Sequence, residues 1–167
     1  KAVFLDRDGV LNRVVVKNGK PYPPETVEEF EILPGVAEAL GALKRAGFLL
    51  IVATNQPDVA SGKQRREVVE AMHTKLRAEL PLDDIKVCYE LDSPASTCYK
   101  PKPGMLLEAS REREIDLARS YMVGDRWRDV DAGHQAGCKT VLLDYHYSER
   151  GPAAPPDATF SSLAEAS

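Results

Sequence analysis

At 167 residues the chain is about one ordinary domain long, against a soft prior of roughly 150 residues per domain. Hydrophobic residues at 43% and charged residues at 29% give the balance of a soluble globular protein. A net charge of −4 and a pI near 5.5 offer no basic field for nucleic acid or a membrane surface, and no apolar run approaches the ~20 residues that cross a bilayer. The first residues lack the apolar stretch and cleavage site of a signal peptide. Cysteines occur at 88, 98 and 138, an odd number that does not make a disulfide framework and favours a reducing compartment. The expectation is a cytoplasmic monomer with one domain spanning residues 1–167.

Short apolar runs recur at Ala2–Leu5, Phe48–Ala53, Ile85–Tyr89, Tyr121–Val123 and Thr140–Leu143. They are rich in Val, Ile, Leu and Phe without clear alternation, as in strands covered on both faces. Between the first two, Val36, Ala39, Leu40 and Leu43 follow a helical stripe, with Pro34 and Gly47 as start and stop signals. Val68, Met72, Leu76 and Leu80 recur every fourth residue, so Gly62–Leu80 reads as a second helix with His73 exposed beside Met72. A third helix is expected over Pro103–Glu114, with Met105, Leu106 and Ala109 inward, and a fourth, small-faced one over Arg128–Ala136. Ser148–Pro156 reads as a loop, Ala158–Phe160 as a short edge strand, and Ser162 with Glu165 as a capping box on a last helical turn. Alternation of strand and helix predicts an α/β fold, a doubly wound, Rossmann-like parallel sheet of about five strands.

Ligands of such sheets bind beyond the carboxyl ends of the strands. Those positions hold Asp6-Arg7-Asp8-Gly9-Val10-Leu11-Asn12, Thr54-Asn55-Gln56, Lys100-Pro101-Lys102-Pro103-Gly104 and Gly124-Asp125-Arg126-Trp127-Arg128-Asp129. Four carboxylates (Asp6, Asp8, Asp125, Asp129) brought together need compensation. One divalent cation and one Lys reduce −4 to −1, and a proton on one carboxyl leaves zero. Mg²⁺, hard and oxygen-seeking, is the natural ion, and phosphate the natural ligand of such a site.

The four segments match, in order, the four motifs of the haloacid dehalogenase-like (HAD) superfamily, and the resemblance covers roughly residues 2–145. The combination Asp-Arg-Asp-Gly-Val-Leu-Asn, Thr-Asn-Gln and Lys-Pro-Lys-Pro-Gly-Met resembles the branch that holds D-glycero-D-manno-heptose 1,7-bisphosphate phosphatases and histidinol-phosphatases. The resemblance implies a phosphatase with Asp6 as nucleophile and Asp8 as general acid and base. It implies Mg²⁺ held by Asp6, Asp125 and the Asp8 backbone carbonyl, with Asp129 supporting Lys100 or a metal-bound water. Thr54 through its hydroxyl, Asn55 through its amide, and Lys100 would meet the phosphoryl group, with Arg126 and Tyr99 flanking the substrate. The resemblance implies catalysis through an aspartyl-phosphate on a small phosphorylated metabolite, a sugar phosphate such as D-glycero-D-manno-heptose 1,7-bisphosphate first; the alternatives are a histidinol-phosphatase or a catalytically silent phospho-ligand protein on the same fold.

Two departures from that branch stand out. Relatives carry a structural zinc on a Cys-x-His and a Cys-x-Cys pair, whereas this chain has Cys88-Tyr89-Glu90 and Ser96-Thr97-Cys98. Two of four ligands cannot close a tetrahedral site, so a zinc-free loop held by other packing is expected. The gaps between motifs also leave no room for a cap domain, so the site is expected to be open, with Arg13–Thr26 as its main specificity loop.

Overall fold

The first apolar run, β1 (Ala2–Leu5), becomes an inner strand of the sheet, because the chain leaves it to one side for β4 (Leu49–Asn55) and returns to its other side as β6 (Tyr121–Gly124). The computed structural model describes residues 1–167. After β1 come an antiparallel hairpin of β2 (Val15–Lys17) and β3 (Lys20–Tyr22), then α1 (Val36–Arg45), β4 (Leu49–Asn55), α2 (Arg66–Glu79) and β5 (Asp84–Cys88). The second half runs α3 (Gly104–Arg113), a 3-10 turn (Leu117–Arg119), β6 (Tyr121–Gly124), α4 (Trp127–Ala136), β7 (Lys139–Leu143), β8 (Ala158–Phe160) and α5 (Leu163–Ala166). The six-stranded sheet has the order β5-β4-β1-β6-β7-β8, with every pair parallel.

The strand period of two divides the core. Val3, Leu5, Leu50 and Val52 point to one face, where α1, α2 and α5 cover them with Val36, Leu40, Met72, Leu76 and Leu163. Ala2, Phe4, Ile51 and Ala53 point to the other, under Met105, Leu106 and Ala109 of α3 and Ala136 of α4. Phe4, Leu5, Leu50 and Ile51 are fully buried, each contributing on the order of 1.5–3 kcal/mol. This two-sided covering explains the unalternating apolar runs.

Three local expectations need correction. α2 begins at Arg66 rather than Gly62, and its buried stripe is Val69, Met72, His73 and Leu76. His73 is therefore inside, where Arg7 Nη1 donates to its Nε2 at 3.2 Å. Burial, reinforced by Arg7 and Arg77, pushes its imidazole down to about 3, so the ring stays neutral and accepts. Arg13–Thr26 is not only a loop but carries the β2–β3 hairpin, turned at Asn18-Gly19 with both residues at positive φ. Cys88 and Cys98 are joined by a disulfide, which replaces the expected packing-only loop and removes the cysteine argument for a reducing compartment; Cys138 stays free and buried. The loop is further tied by Lys102 Nζ, which donates to the carbonyls of Ser93 and Ser96.

Candidate active site

β1 and β6 flank the crevice where the chain reverses its direction of winding, which is where an open α/β sheet binds its ligand. Asp6 follows β1, Asp125 follows β6, and Asp129 lies one turn into α4. Their carboxylate oxygens come within 4.8 Å of one another. β4 runs two residues longer than its apolar run, which carries Thr54 and Asn55 to the same edge. Asn55 then fixes the Lys100 segment through its side chain: Nδ2 donates to the Lys100 carbonyl at 3.1 Å and Oδ1 accepts the Lys100 amide at 3.0 Å.

Lys100 is only 2% exposed, and its ammonium donates to Asp129 Oδ1 at 2.7 Å and to the Ala53 carbonyl at 2.7 Å, with Asp6 Oδ1 at 3.0 Å. Burial alone would lower the ammonium, but Asp129 and Asp6 hold it above its ordinary value. Burial, then Asp129, pushes Asp6 up to about 6, with Lys100 opposing. Burial and the neighbouring Asp6 and Asp129 also push Asp125 well above the usual carboxylate range. Asp129 Oδ2 accepts the Arg126 amide, capping α4 as well as pairing with Lys100.

Asp8 stands apart from this cluster. Its carboxylate accepts Arg7 Nη2 at 2.9 Å, Asn12 Nδ2 at 2.9 Å and Gln56 Nε2 at 3.1 Å. Arg7 is 1% exposed, so this pair is buried on the arginine side and opens to the cleft on the aspartate side. The Asp8 side chain faces Arg7, so any contribution of Asp8 to a cation is left to its backbone carbonyl. Thr54 is fully buried and its hydroxyl accepts Gln56 Nε2 at 2.9 Å.

The cleft itself, about 200 Å³, is lined among others by Asp6, Asp8, Asn55, Lys100, Asp125 and Arg126. Tyr99 and Arg128 also line it, with the Arg128 guanidinium 5.6 Å from the centre of the Tyr99 ring. Arg126 reaches the cleft while its guanidinium binds Glu149 at 2.8 Å. Val14, Tyr22 and Pro23, in and beside the hairpin, complete the lining.

Arg7, Asn12, Gln56 and Arg128 were within the segments singled out from sequence but carried no assigned part. Tyr145, Tyr147 and Glu149 were missed altogether. The carboxyl end of β7, immediately before them, was the signal.

Fit to a divalent cation can be judged from the charges. Arg7 neutralises Asp8 and Lys100 neutralises Asp129, so the uncompensated charge is that of Asp6 and Asp125, minus two. Asp125 Oδ1 is buried with no hydrogen-bond partner, an acceptor left for a ligand. Gly9, at positive φ, makes room for this carboxylate: a Cβ there would overlap it. The pairing by Arg7 replaces the proton that sequence arithmetic needed for neutrality.

A six-stranded parallel sheet with this acidic edge is the architecture of a phosphatase of the HAD-like hydrolases, and the chain belongs to that family. Residues 97–166 match the HAD-hydrolase-like family model. The D-glycero-beta-D-manno-heptose-1,7-bisphosphate 7-phosphatase of Escherichia coli K12 is 40% identical over 154 residues, which span 85% of this chain and 78% of that protein. The D-glycero-D-manno-heptose-1,7-bisphosphate 7-phosphatase of Thermosynechococcus vestitus is 34% identical, with 99% of this chain and 92% of that protein covered. The crystal structure of D,D-heptose 1,7-bisphosphate phosphatase from B. bronchiseptica, complexed with magnesium and phosphate, superposes with a TM-score of 0.83 at 31% identity, covering 98% of this chain and 94% of that one. No helix is long and apolar enough to cross a membrane.

Proposed function

We propose that the protein is a Mg²⁺-dependent phosphomonoesterase that works through an aspartyl-phosphate on Asp6, with a sugar phosphate as substrate and D-glycero-D-manno-heptose 1,7-bisphosphate foremost. The observation that carries the reading is the charge pairing. Asp8 and Asp129 each have a buried cationic partner, while Asp6 and Asp125 share two negative charges and an unpartnered oxygen. A divalent cation held by Asp6 and Asp125 would supply charge neutralisation and orient nucleophile and phosphate.

Asp6 is the nucleophile. Its Oδ1 is fixed by the Arg7 amide at 2.8 Å and by Lys100, which leaves Oδ2 to attack phosphorus. At pH 7 it is mostly ionised even at its raised value, so no base has to activate it. Asp8, which must first take up a proton from solvent as one of its donors lets go, gives that proton to the leaving oxygen as the P–O bond of the ester breaks. Water then attacks phosphorus, Asp8 takes the water proton back, and the bond between phosphorus and Asp6 breaks to release inorganic phosphate. Arg7, Asn12 and Gln56 hold Asp8 in place, and accepting a proton requires one of these donors to let go. Lys100 balances charge on the phosphoryl oxygens. Asn55 sets the Lys100 backbone, and Thr54 acts at one remove by fixing Gln56. Arg126, Arg128 and Tyr99 face the rest of the substrate. Arg128, a guanidinium on the cleft wall, suits the second phosphate of a bisphosphate.

The test is phosphate release from heptose 1,7-bisphosphate, histidinol phosphate, nucleotides and an aryl phosphate, each with Mg²⁺ and with chelator. The reading predicts Mg²⁺-dependent turnover, fastest on a sugar phosphate. No turnover of any ester would leave only a phosphate-binding protein, and turnover in chelator would remove the cation from the account.

A further inference from the structure

We propose that Tyr147 is a positioning residue for a divalent-cation ligand: its hydroxyl fixes one oxygen of Asp125 so that the other is presented to the ion. The inference rests on the reading of the site as a cation site and adds to it a residue outside the four motifs. Tyr147 Oη donates to Asp125 Oδ2 at 2.8 Å, while Asp125 Oδ1 is buried and bare. The carboxylate is therefore already sorted into a satisfied oxygen and a free one. Buried metal-ligating carboxylates need such hydrogen-bond partners to hold their orientation.

Tyr147 is placed by a strap that wraps the end of the cleft. Tyr145 Oη donates to the Gly9 carbonyl at 2.9 Å, and the Ser148 amide donates to the Gly19 carbonyl of the hairpin turn at 2.8 Å. Glu149 accepts Arg126 Nε at 2.9 Å and the Trp127 amide at 3.1 Å, and Arg150 stacks on Trp127. Gly19 is required for this closure, since a Cβ there would overlap the Ser148 side chain. Four independent attachments hold a seven-residue segment, Asp144–Arg150, whose one contact with the acidic cluster is the Tyr147 hydroxyl. A segment that only covered the core would not need that hydroxyl.

The experiment is a Mn²⁺ titration of the full chain followed by the electron paramagnetic resonance signal of free Mn²⁺, with folding checked by circular dichroism. Tyr147→Phe removes the hydroxyl and keeps the ring. It is expected to raise the Mn²⁺ dissociation constant about 10-fold, the lower end of the effect of losing an outer hydrogen bond to a ligand. Tyr145→Phe removes only the bond to Gly9 and leaves the Ser148 and Glu149 attachments next to Tyr147 in place. It does not alter the hydrogen bond to Asp125, so it is expected to stay within twofold of the parent. Glu149→Gln releases the strap at its other end and is expected to weaken Mn²⁺ binding in the same direction as Tyr147→Phe. It decides the matter on the same criterion should Tyr147→Phe fail to fold. Tyr147→Phe equal to the parent within twofold, or matched by Tyr145→Phe, overturns the assignment of Tyr147 alone. A parent chain that binds no Mn²⁺ overturns both this assignment and the cation reading beneath it.

Discussion

Lys100→Met tests the electrostatic core of the site without assuming a substrate. The side chain is replaced by an uncharged one of similar length, leaving Asp6, Asp125 and Asp129 buried together. At an effective dielectric of ~20, ammonium–carboxylate contacts at the observed 2.7 and 3.0 Å are each worth about 6 kcal/mol. Several kcal/mol of that only offsets the desolvation of the ammonium itself, so a net loss of about 3–5 kcal/mol is expected at pH 7. For a chain of this size that corresponds to a fall in Tm of roughly 10–15 °C. Urea unfolding in chelator at pH 7 and pH 5 is the assay. At pH 5 the loss should shrink, because Asp6 and Asp125, already raised, can take up protons once the ammonium is gone. Adding Asp129→Asn should recover part of the loss, giving a coupling energy of about 1–3 kcal/mol. A loss under about 1 kcal/mol at pH 7, or equal losses at both pH values, would refute the view that Lys100 holds the carboxylates together.

Three further outcomes follow from the same geometry. Asp8→Asn should slow esters with poor leaving groups at least 100-fold while sparing aryl phosphates more, because the lost acid matters only where the leaving oxygen needs a proton; equal losses in paired kinetics would contradict that part. Asp6 is raised to about 6, so the native state keeps protons that the unfolded chain has released, and the cation-free protein loses stability as pH rises from about 4 through 6, by on the order of 3 kcal/mol. Mg²⁺ takes the place of those protons, so its increment to Tm should be larger at pH 7.5 than at pH 5, and scanning calorimetry showing the reverse would break the link between the raised carboxylates and the ion. Replacing Cys88 and Cys98 together by Ala opens a short loop and should cost up to about 3 kcal/mol in the chain-entropy picture, read by urea unfolding against the oxidised parent; an unchanged midpoint would show that the Lys102 contacts alone hold the segment.

The central sheet and the order of its elements were legible because each buried strand is an uninterrupted apolar run followed by a chemically loaded turn. The face of α2 was not. A spacing of four drifts around the helix, so Val68 and Leu80 drew the stripe away from Val69, and His73 hid inside the true one by being polar. The hairpin carried a readable signal in Asn18-Gly19, lost because its strands are three residues each and exposed. At the site, Asp6, Lys100, Asp125 and Asp129 converge as their positions after the strands require. The partner of Asp8 was harder to see. Arg7 lies next to it in sequence, yet its side chain turns back under the strand edge to reach both Asp8 and His73, a path set by tertiary packing. The Cys88–Cys98 bond, ten residues apart, was obscured by the odd count to which the remote Cys138 contributes.

The covalent step can be caught directly. With a ³²P-labelled aryl phosphate, whose leaving group needs no acid, and Mg²⁺, an acid quench of Asp8→Asn should trap protein-bound phosphate, and borohydride reduction followed by peptide mass spectrometry should find the modified residue at position 6. Turnover without any labelled protein, together with activity surviving in Asp6→Asn, would contradict the account.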